Sequence, residues 1–168
     1  MSEFGNRAWI PRNQTVAGTQ FLMGVAYQNG EGVEPSDKSD EEAVRWYQLA
    51  ADQGHADALF YLGFAYTYGK GVQQSNEEGV RWYRRAADQG HADAQFWLGI
   101  AYEDGEGVEP SDEEAVRWYK LAADQGHEKA RFNLTSLRKA ISFRDFNPDE
   151  KEIEAAFAAA EAKAAEHK

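Results

Sequence analysis

The sequence predicts an all-α fold, a right-handed superhelix (solenoid) of about three and a half helix-turn-helix repeats followed by a C-terminal helix. Residues 56–91 align without gaps on residues 92–127, and 24 of the 36 positions are identical. An earlier copy, at residues 19–55, has three extra residues before its second helix. Because one helical hairpin of this size cannot bury its apolar face, successive copies are expected to stack and complete a shared core.

The first helix of each copy, helix A, has one fixed apolar stripe at helical spacing. In the second copy this stripe consists of Ala58, Leu62, Ala65 and Tyr66. Gly63 lies beside the stripe, where a missing side chain lets a neighbouring helix approach closely. The helix is predicted to end at the Gly-Lys-Gly-Val segment of residues 69–72, because its glycines permit the backbone angles of a tight turn.

The second helix, helix B, has a start and a stop signal in every copy. It begins with a Ser-x-x-Glu capping box at residues 39–42, 75–78 and 111–114. Gly54, Gly90 and Gly126 are predicted to be left-handed C-caps. Aromatic residues that recur with the frame are predicted to be core residues, namely Trp46, Trp82, Trp118, Tyr47, Tyr83 and Tyr119. Arg45, Arg81 and Arg117 lie four residues after a first-turn Glu, which predicts i, i+4 ion pairs.

The rest of the chain is divided as follows. Residues 1–14 are interpreted as an N-terminal tail or cloning remnant, and residues 15–140 as the solenoid, which ends in a capping helix at 128–140. Residues 141–168 are predicted to be a connector and an amphipathic helix that starts at Asn147 and Pro148. That helix has two interpretations, a cap on the last repeat or a segment that docks in a groove of its own molecule or of a second one in a homodimer.

The repeat frame resembles a known family. It reads Ala-x-x-x-Leu-Gly-x-x-Tyr-x-x-Gly-x-Gly-Val, followed by Ala-Val-x-Trp-Tyr-x-x-Ala-Ala-x-x-Gly, and is similar to the Sel-one-like repeat, a relative of the tetratricopeptide repeat. Met23, Gly79 and Thr135 depart from the frame in the first, second and fourth copies. The resemblance implies a non-catalytic adaptor or scaffold that binds a protein or peptide, since such proteins typically assemble signalling, envelope or secretion complexes or contact host proteins.

The opposite face of helix A varies from copy to copy. In repeat solenoids of the related type the A helices line the concave side, so this variable face is predicted to form the floor of a groove. The predicted partner-binding residues are Leu22, Val25, Tyr61, Phe64, Tyr68, Trp97, Ile100, Asp104 and Asn133. Acidic flanks favour a partner segment with apolar anchors and some Lys or Arg. The alternative interpretation is that the aromatic side chains belong to the core between adjacent A helices.

Composition limits the classes of partner. The formal net charge of -11 repels phosphate backbones and anionic lipids, so we expect no nucleic-acid partner. No window of about eighteen apolar residues is present, so membrane insertion is not expected. The N-terminal residues lack the apolar core of a signal peptide, and the compartment stays open between the cytoplasm and, if a signal peptide has been removed, the periplasm or the extracellular space.

No pattern predicts a catalytic residue, a metal or a cofactor. His55, His91 and His127 recur where helix B ends and the next helix A begins, but equivalent positions of stacked repeats are ~10 Å apart, too far to share an ion. They are predicted to cap or pack. The recurring serines are explained as helix caps. An alternative function is an inhibitor or immunity-type protein that blocks an enzyme through an acidic surface.

Overall fold

The computed structural model describes residues 15–30 and 39–146. Its helices are α1 (Val16–Asn29), α2 (Asp40–Ala51), α3 (Ala56–Tyr68), α4 (Asn76–Ala87), α5 (Ala92–Asp104), α6 (Asp112–Asp124) and α7 (Glu128–Phe146). Each helix packs on the next one along the chain, and α5 also contacts α7. The predicted all-α solenoid is confirmed, with α1, α3 and α5 as the A helices. The tail at residues 1–14 and the C-terminal helix predicted after Asn147 lie outside the described residues.

The turn inside the second repeat depends on glycine. Gly69 ends α3 with a φ of 65°, and the next amide, that of Lys70, donates to the Ala65 carbonyl at 2.8 Å. Gly71 has a φ of 71°, and a Cβ placed there would lie 2.3 Å from the Asp40 carbonyl oxygen. This turn therefore packs directly on the first residue of α2 in the preceding repeat, where a side chain has no room.

The junction between repeats combines a C-cap with an N-cap. Gly54 has a φ of 81°, and the amides of Gly54 and His55 donate to the carbonyls of Ala51 and Ala50 at 2.9 and 3.1 Å. These two bonds form a Schellman motif. The His55 ring then accepts a hydrogen bond from the Ala58 amide at 3.4 Å and caps α3. His91 and His127 repeat this arrangement, so the predicted capping role of the histidines is confirmed.

A tyrosine ring on each B helix packs on a glycine of the A helix. A Cβ added to Gly63 would lie 2.5 Å from the Tyr83 ring, and Gly24 and Gly99 face Tyr47 and Tyr119 in the same way. All three tyrosines are buried, as predicted, and so is Trp118. Trp46 and Trp82 are only half-buried, and the guanidinium of Arg85 lies 4.5 Å from the Trp82 ring centroid.

The last helix is longer than predicted. The capping helix was expected to end at residue 140, but α7 continues to Phe146. No glycine or proline interrupts residues 128–146, and Leu134, Leu137 and Ile141 pack on the core cluster that contains Tyr119. Phe132 and Phe143 point away from it, with 72% and 73% of their surface exposed. None of the described helices combines the length and apolarity needed to cross a membrane.

The repeated ion pairs differ from the prediction by one residue. Arg45 pairs with Glu42, Arg81 with Glu78 and Arg117 with Glu114, three residues earlier and not four. In the first repeat Glu41 instead accepts a hydrogen bond from the Ser39 hydroxyl at 2.8 Å. Together with a backbone hydrogen bond, this contact holds the pKa of Glu41 below its ordinary value. These pairs are largely exposed and contribute little to stability.

Candidate peptide-binding groove

The predicted binding residues lie at equivalent positions of α1, α3, α5 and α7. Leu22 and Tyr68 are exposed over 44% and 46% of their surface. Asp104 is also exposed, at the end of α5. The remaining positions are half-buried, namely Val25, Tyr61, Phe64, Trp97, Ile100 and Asn133. Most of these side chains therefore pack against the protein on one side and are exposed on the other.

Two aromatic rings of this face pack across the junctions between repeats. The Tyr61 ring centroid lies 5.2 Å from that of Tyr47 and 5.6 Å from that of Phe21, both in the first repeat. The Trp97 ring stacks on Tyr83, with centroids 6.2 Å apart and planes 12° from parallel. Tyr61 and Trp97 thus contribute to the core between repeats, while part of each ring stays exposed. For these contacts the alternative interpretation, that the aromatic side chains belong to the core, applies.

The aromatic side chains of α3 and α5 form a continuous surface. Phe64 and Tyr68 have ring centroids 4.5 Å apart, and Tyr68 meets Trp97 edge to face at 6.2 Å. Since Trp97 belongs to the next repeat, this contact carries the surface across the junction. A ligand on this face would meet several aromatic rings held in fixed relative positions.

A pocket of about 310 Å³ opens beside these rings, between the second and third repeats. Three predicted residues line it, namely Tyr68, Trp97 and Ile100. The other lining residues are Thr67, Gln74, Asn76, Val80, Tyr83, Ala101 and Glu106. None of these seven is among the predicted partner-binding residues, although Glu106 belongs to the acidic flank that the sequence predicts for the groove. A signal was present, because positions 67, 74, 76 and 106 are among those that differ between the second and third copies.

The hydrogen bond of the buried tyrosine differs in the second repeat. Tyr47 donates to Gln28 Oε1 at 2.5 Å, and Tyr119 donates to Glu103 Oε2 at 2.6 Å. The equivalent residue in the second repeat is Thr67, whose side chain is shorter and branched at Cβ. The Tyr83 hydroxyl is buried and has no hydrogen-bond partner of acceptable geometry among the described residues.

Burial raises the pKa of Tyr83, and the neighbouring Thr67 hydroxyl offsets only part of that rise.

Thr67 also explains why Gly79 departs from the repeat frame. A Cβ at Gly79 would lie 2.3 Å from Thr67 Oγ1 and 3.1 Å from the Gly63 carbonyl oxygen. The other copies have alanine here, opposite Gln28 and Glu103, which are not branched at Cβ. Thr67 and Gly79 are therefore a matched pair, and together they leave the Tyr83 hydroxyl without its usual partner.

Asn133 has a structural contact, since its Nδ2 donates to the Tyr119 hydroxyl at 3.2 Å. Burial and, to a smaller extent, the hydrogen bond to Glu103 raise the pKa of Tyr119.

Within residues 15–30 and 39–146, no three His, Cys, Asp or Glu side chains are grouped so that they could hold a metal ion. Carboxylates near the predicted binding residues include Glu103, Asp104 and Glu106.

Comparison with known proteins gives a consistent family assignment. The model of the Sel1 repeat matches residues 17–55, 56–91 and 92–127. A Sel1 repeat protein from Oxalobacter formigenes is 40% identical, with a TM-score of 0.67, over 70% of this chain and 46% of that one. A protective antigen present in uropathogenic Escherichia coli strains, displaying an SLR fold, is 37% identical, with a TM-score of 0.64, over 68% of this chain and 24% of that one.

Cysteine rich protein B of Helicobacter pylori shares the fold, with 22% identity and a TM-score of 0.57 over 71% of this chain and 98% of that one. The chain thus spans less than half the length of the Oxalobacter and Escherichia proteins. No curated protein matches the chain.

Proposed function

Because the chain belongs to the Sel1 repeat family, whose members typically mediate protein–protein interactions, we propose that it is a non-catalytic scaffold that binds an extended peptide segment along α1, α3 and α5. The observation that carries this proposal is the contrast between the two faces of the A helices. The packing face repeats almost unchanged, whereas the variable face changes from Leu22 to Tyr61 to Trp97. Stacking explains the first face, and a ligand that differs along its length explains the second.

The aromatic surface supports the proposal energetically. Tyr68 and Phe64 lose little conformational entropy on binding, since an aromatic side chain has two rotatable bonds and these rings already contact each other. Trp97 is fixed by its stacking on Tyr83. Preorganised aromatic side chains at the centre of a surface are typical binding hot spots.

The test is selection of twelve-residue peptides from a random display library against the full chain, followed by calorimetry with the selected peptides. Phe64→Ala and Tyr68→Ala are expected to weaken binding by about thirtyfold or more, because hot-spot truncations cost about 2 kcal/mol or more. Leu49→Ala and Leu121→Ala are matched controls, since these leucines are exposed on B helices. Equal losses in both pairs of variants, or failure to select any peptide, would contradict groove binding.

Salt dependence distinguishes the alternative function. An inhibitor that acts through an acidic surface requires binding that weakens strongly with ionic strength. Groove binding anchored by aromatic burial is expected to lose much less affinity between low and high salt.

A further inference from the structure

The pocket between the second and third repeats has the chemistry of a cation site. This inference rests on the proposed function: we propose that the pocket accepts one lysine or arginine side chain of the peptide bound in the groove. This pocket is lined by Tyr83, by the Glu106 carboxylate and by the rings of Tyr68 and Trp97. The Tyr83 hydroxyl is buried and makes no hydrogen bond of acceptable geometry with the described residues.

Several polar groups of the pocket can accept hydrogen bonds. Gln74 Nε2 donates to the Thr67 carbonyl at 2.9 Å, which fixes the amide and leaves its oxygen to accept. The lone pairs of the Tyr83 hydroxyl and the carboxylate of Glu106 add two further acceptors. Glu106 has no ion pair with any described residue. An ammonium or guanidinium group has donors only, so it matches this set.

The pocket walls favour the same sign of charge. The rings of Tyr68 and Trp97 both line the pocket and contact each other edge to face, with centroids 6.2 Å apart. Ring faces attract cations, and guanidinium groups stack on them. The lining includes no lysine or arginine, and Glu106 is its one charged residue. An anionic side chain would therefore meet repulsion and no compensating charge.

The hydrogen bonding at this place differs between the second repeat and the first and third repeats. In the first and third repeats the side chains of Gln28 and Glu103 occupy the place beside the tyrosine hydroxyl and bond to it. In the second repeat Thr67 makes no such bond of acceptable geometry to Tyr83, and Gly79 accommodates the branched Thr67 side chain. One change removes the internal partner of Tyr83, and the other lets the helices keep their spacing.

The experiment uses small probes and the full chain labelled with ¹⁵N. Nα-acetyl-arginine amide and Nα-acetyl-lysine amide are titrated, with Nα-acetyl-citrulline amide as an uncharged control of the arginine shape. We expect saturable shifts of the Trp97 indole N–H and the Glu106 amide with the two cationic probes, and shifts at least about tenfold weaker with citrulline. Glu106→Gln should abolish this preference for charge. Glu109→Gln, which removes an exposed charge that does not line the pocket, should keep it.

Closing the pocket provides the second test. The double variant Thr67→Gln, Gly79→Ala recreates the Gln28, Ala43 and Tyr47 arrangement of the first repeat, so it is expected to stay folded and lose the probe response. Equal shifts with arginine and citrulline, or an arginine response that persists in Glu106→Gln and in the double variant, would overturn the pocket assignment.

Failures of the two proposals are distinguishable. Selected peptides that bind through Phe64 and Tyr68 without any basic residue would overturn the pocket assignment and leave groove binding intact. If the chain selects no peptide but still responds specifically to the arginine probe, groove binding is overturned and the cation site in the pocket is retained.

Discussion

His91 Nε2 lies 3.1 Å from Asp57 Oδ1 and joins the first turn of α5 to the first turn of α3 in the preceding repeat. The same ring accepts a hydrogen bond from the Ala94 amide at 3.2 Å and stacks on Phe60 with a centroid distance of 4.8 Å. Because Nδ1 accepts, Nε2 carries the proton and donates to the carboxylate. One residue thus caps its own helix and connects two repeats.

These three contacts predict an order of stability. His91→Ala removes the cap, the stacking and the link, and we expect it to lower the free energy of unfolding by about 1–2 kcal/mol. His91→Asn keeps a capping side chain and should cost less. Asp57→Ala removes only an exposed partner and should cost under about 1 kcal/mol. Urea unfolding followed by circular dichroism measures all three, and an Asp57→Ala loss equal to that of His91→Ala would contradict the dominance of the cap.

The pairing of Thr67 with Gly79 predicts a non-additive pair of substitutions. Gly79→Ala alone is expected to destabilise the protein, because its Cβ meets Thr67 Oγ1 at 2.3 Å. The double variant Thr67→Gln, Gly79→Ala should be more stable than the parent by about 1–2 kcal/mol, since the helix gains alanine and Tyr83 gains a partner. A double-mutant cycle of unfolding free energies measures the coupling, and strict additivity would show that the two residues are independent.

The tyrosine hydroxyls predict that removing one oxygen has a different effect in each repeat. Tyr47→Phe and Tyr119→Phe each remove a made hydrogen bond and leave Gln28 or Glu103 without its partner, so each should cost about 1 kcal/mol. Tyr83→Phe removes a buried hydroxyl that has no partner among the described residues, so it should be neutral or stabilising. Thermal unfolding of the three variants gives the comparison. A similar loss of stability in all three would mean that the Tyr83 hydroxyl has a hydrogen-bond partner in solution.

High pH is expected to weaken the fold through the same residues. Burial raises the pKa of Tyr47, Tyr83 and Tyr119 above the ordinary value of 10. A group whose pKa is higher in the folded state contributes stability below pH 10, and that contribution is lost progressively as the pH rises beyond it. Tyrosinate absorbance should show a late phase that coincides with loss of helical circular dichroism. Tyr83→Phe should reduce that late phase, whereas a single early phase without unfolding would contradict the burial argument.

The sequence predicts the local features of this fold better than its contacts between side chains. Ser75, Gly69 and Gly90 were identified because a cap or a left-handed residue needs a particular residue type at a particular position. The partner of Arg81 was wrong by one residue, because Glu77 and Glu78 are both within reach and side-chain rotamers decide between them.

The end of α7 and the pocket depend on different information. The repeat frame stops at residue 140, but the apolar spacing of Leu134, Leu137 and Ile141 continues the helix. The pocket was not predicted, and neither was the hydrogen-bond difference at Tyr83, where Thr67 stands in the place of Gln28 and Glu103. The sequence shows this substitution, but its effect on hydrogen bonding can be seen only when residue 67 and Tyr83 are known to be neighbours in the structure.

Two glycines with the same backbone conformation provide the last prediction. Gly54 and Gly71 have φ values of 81° and 71°, so alanine at either position carries the strain of the left-handed region, about 1 kcal/mol. A Cβ at Gly54 meets nothing within 4 Å, whereas one at Gly71 would lie 2.3 Å from the Asp40 carbonyl oxygen. Gly71→Ala should therefore cost at least about 1 kcal/mol more than Gly54→Ala in urea unfolding, because the turn must move off α2. Equal costs would show that the turn does not pack on the preceding repeat.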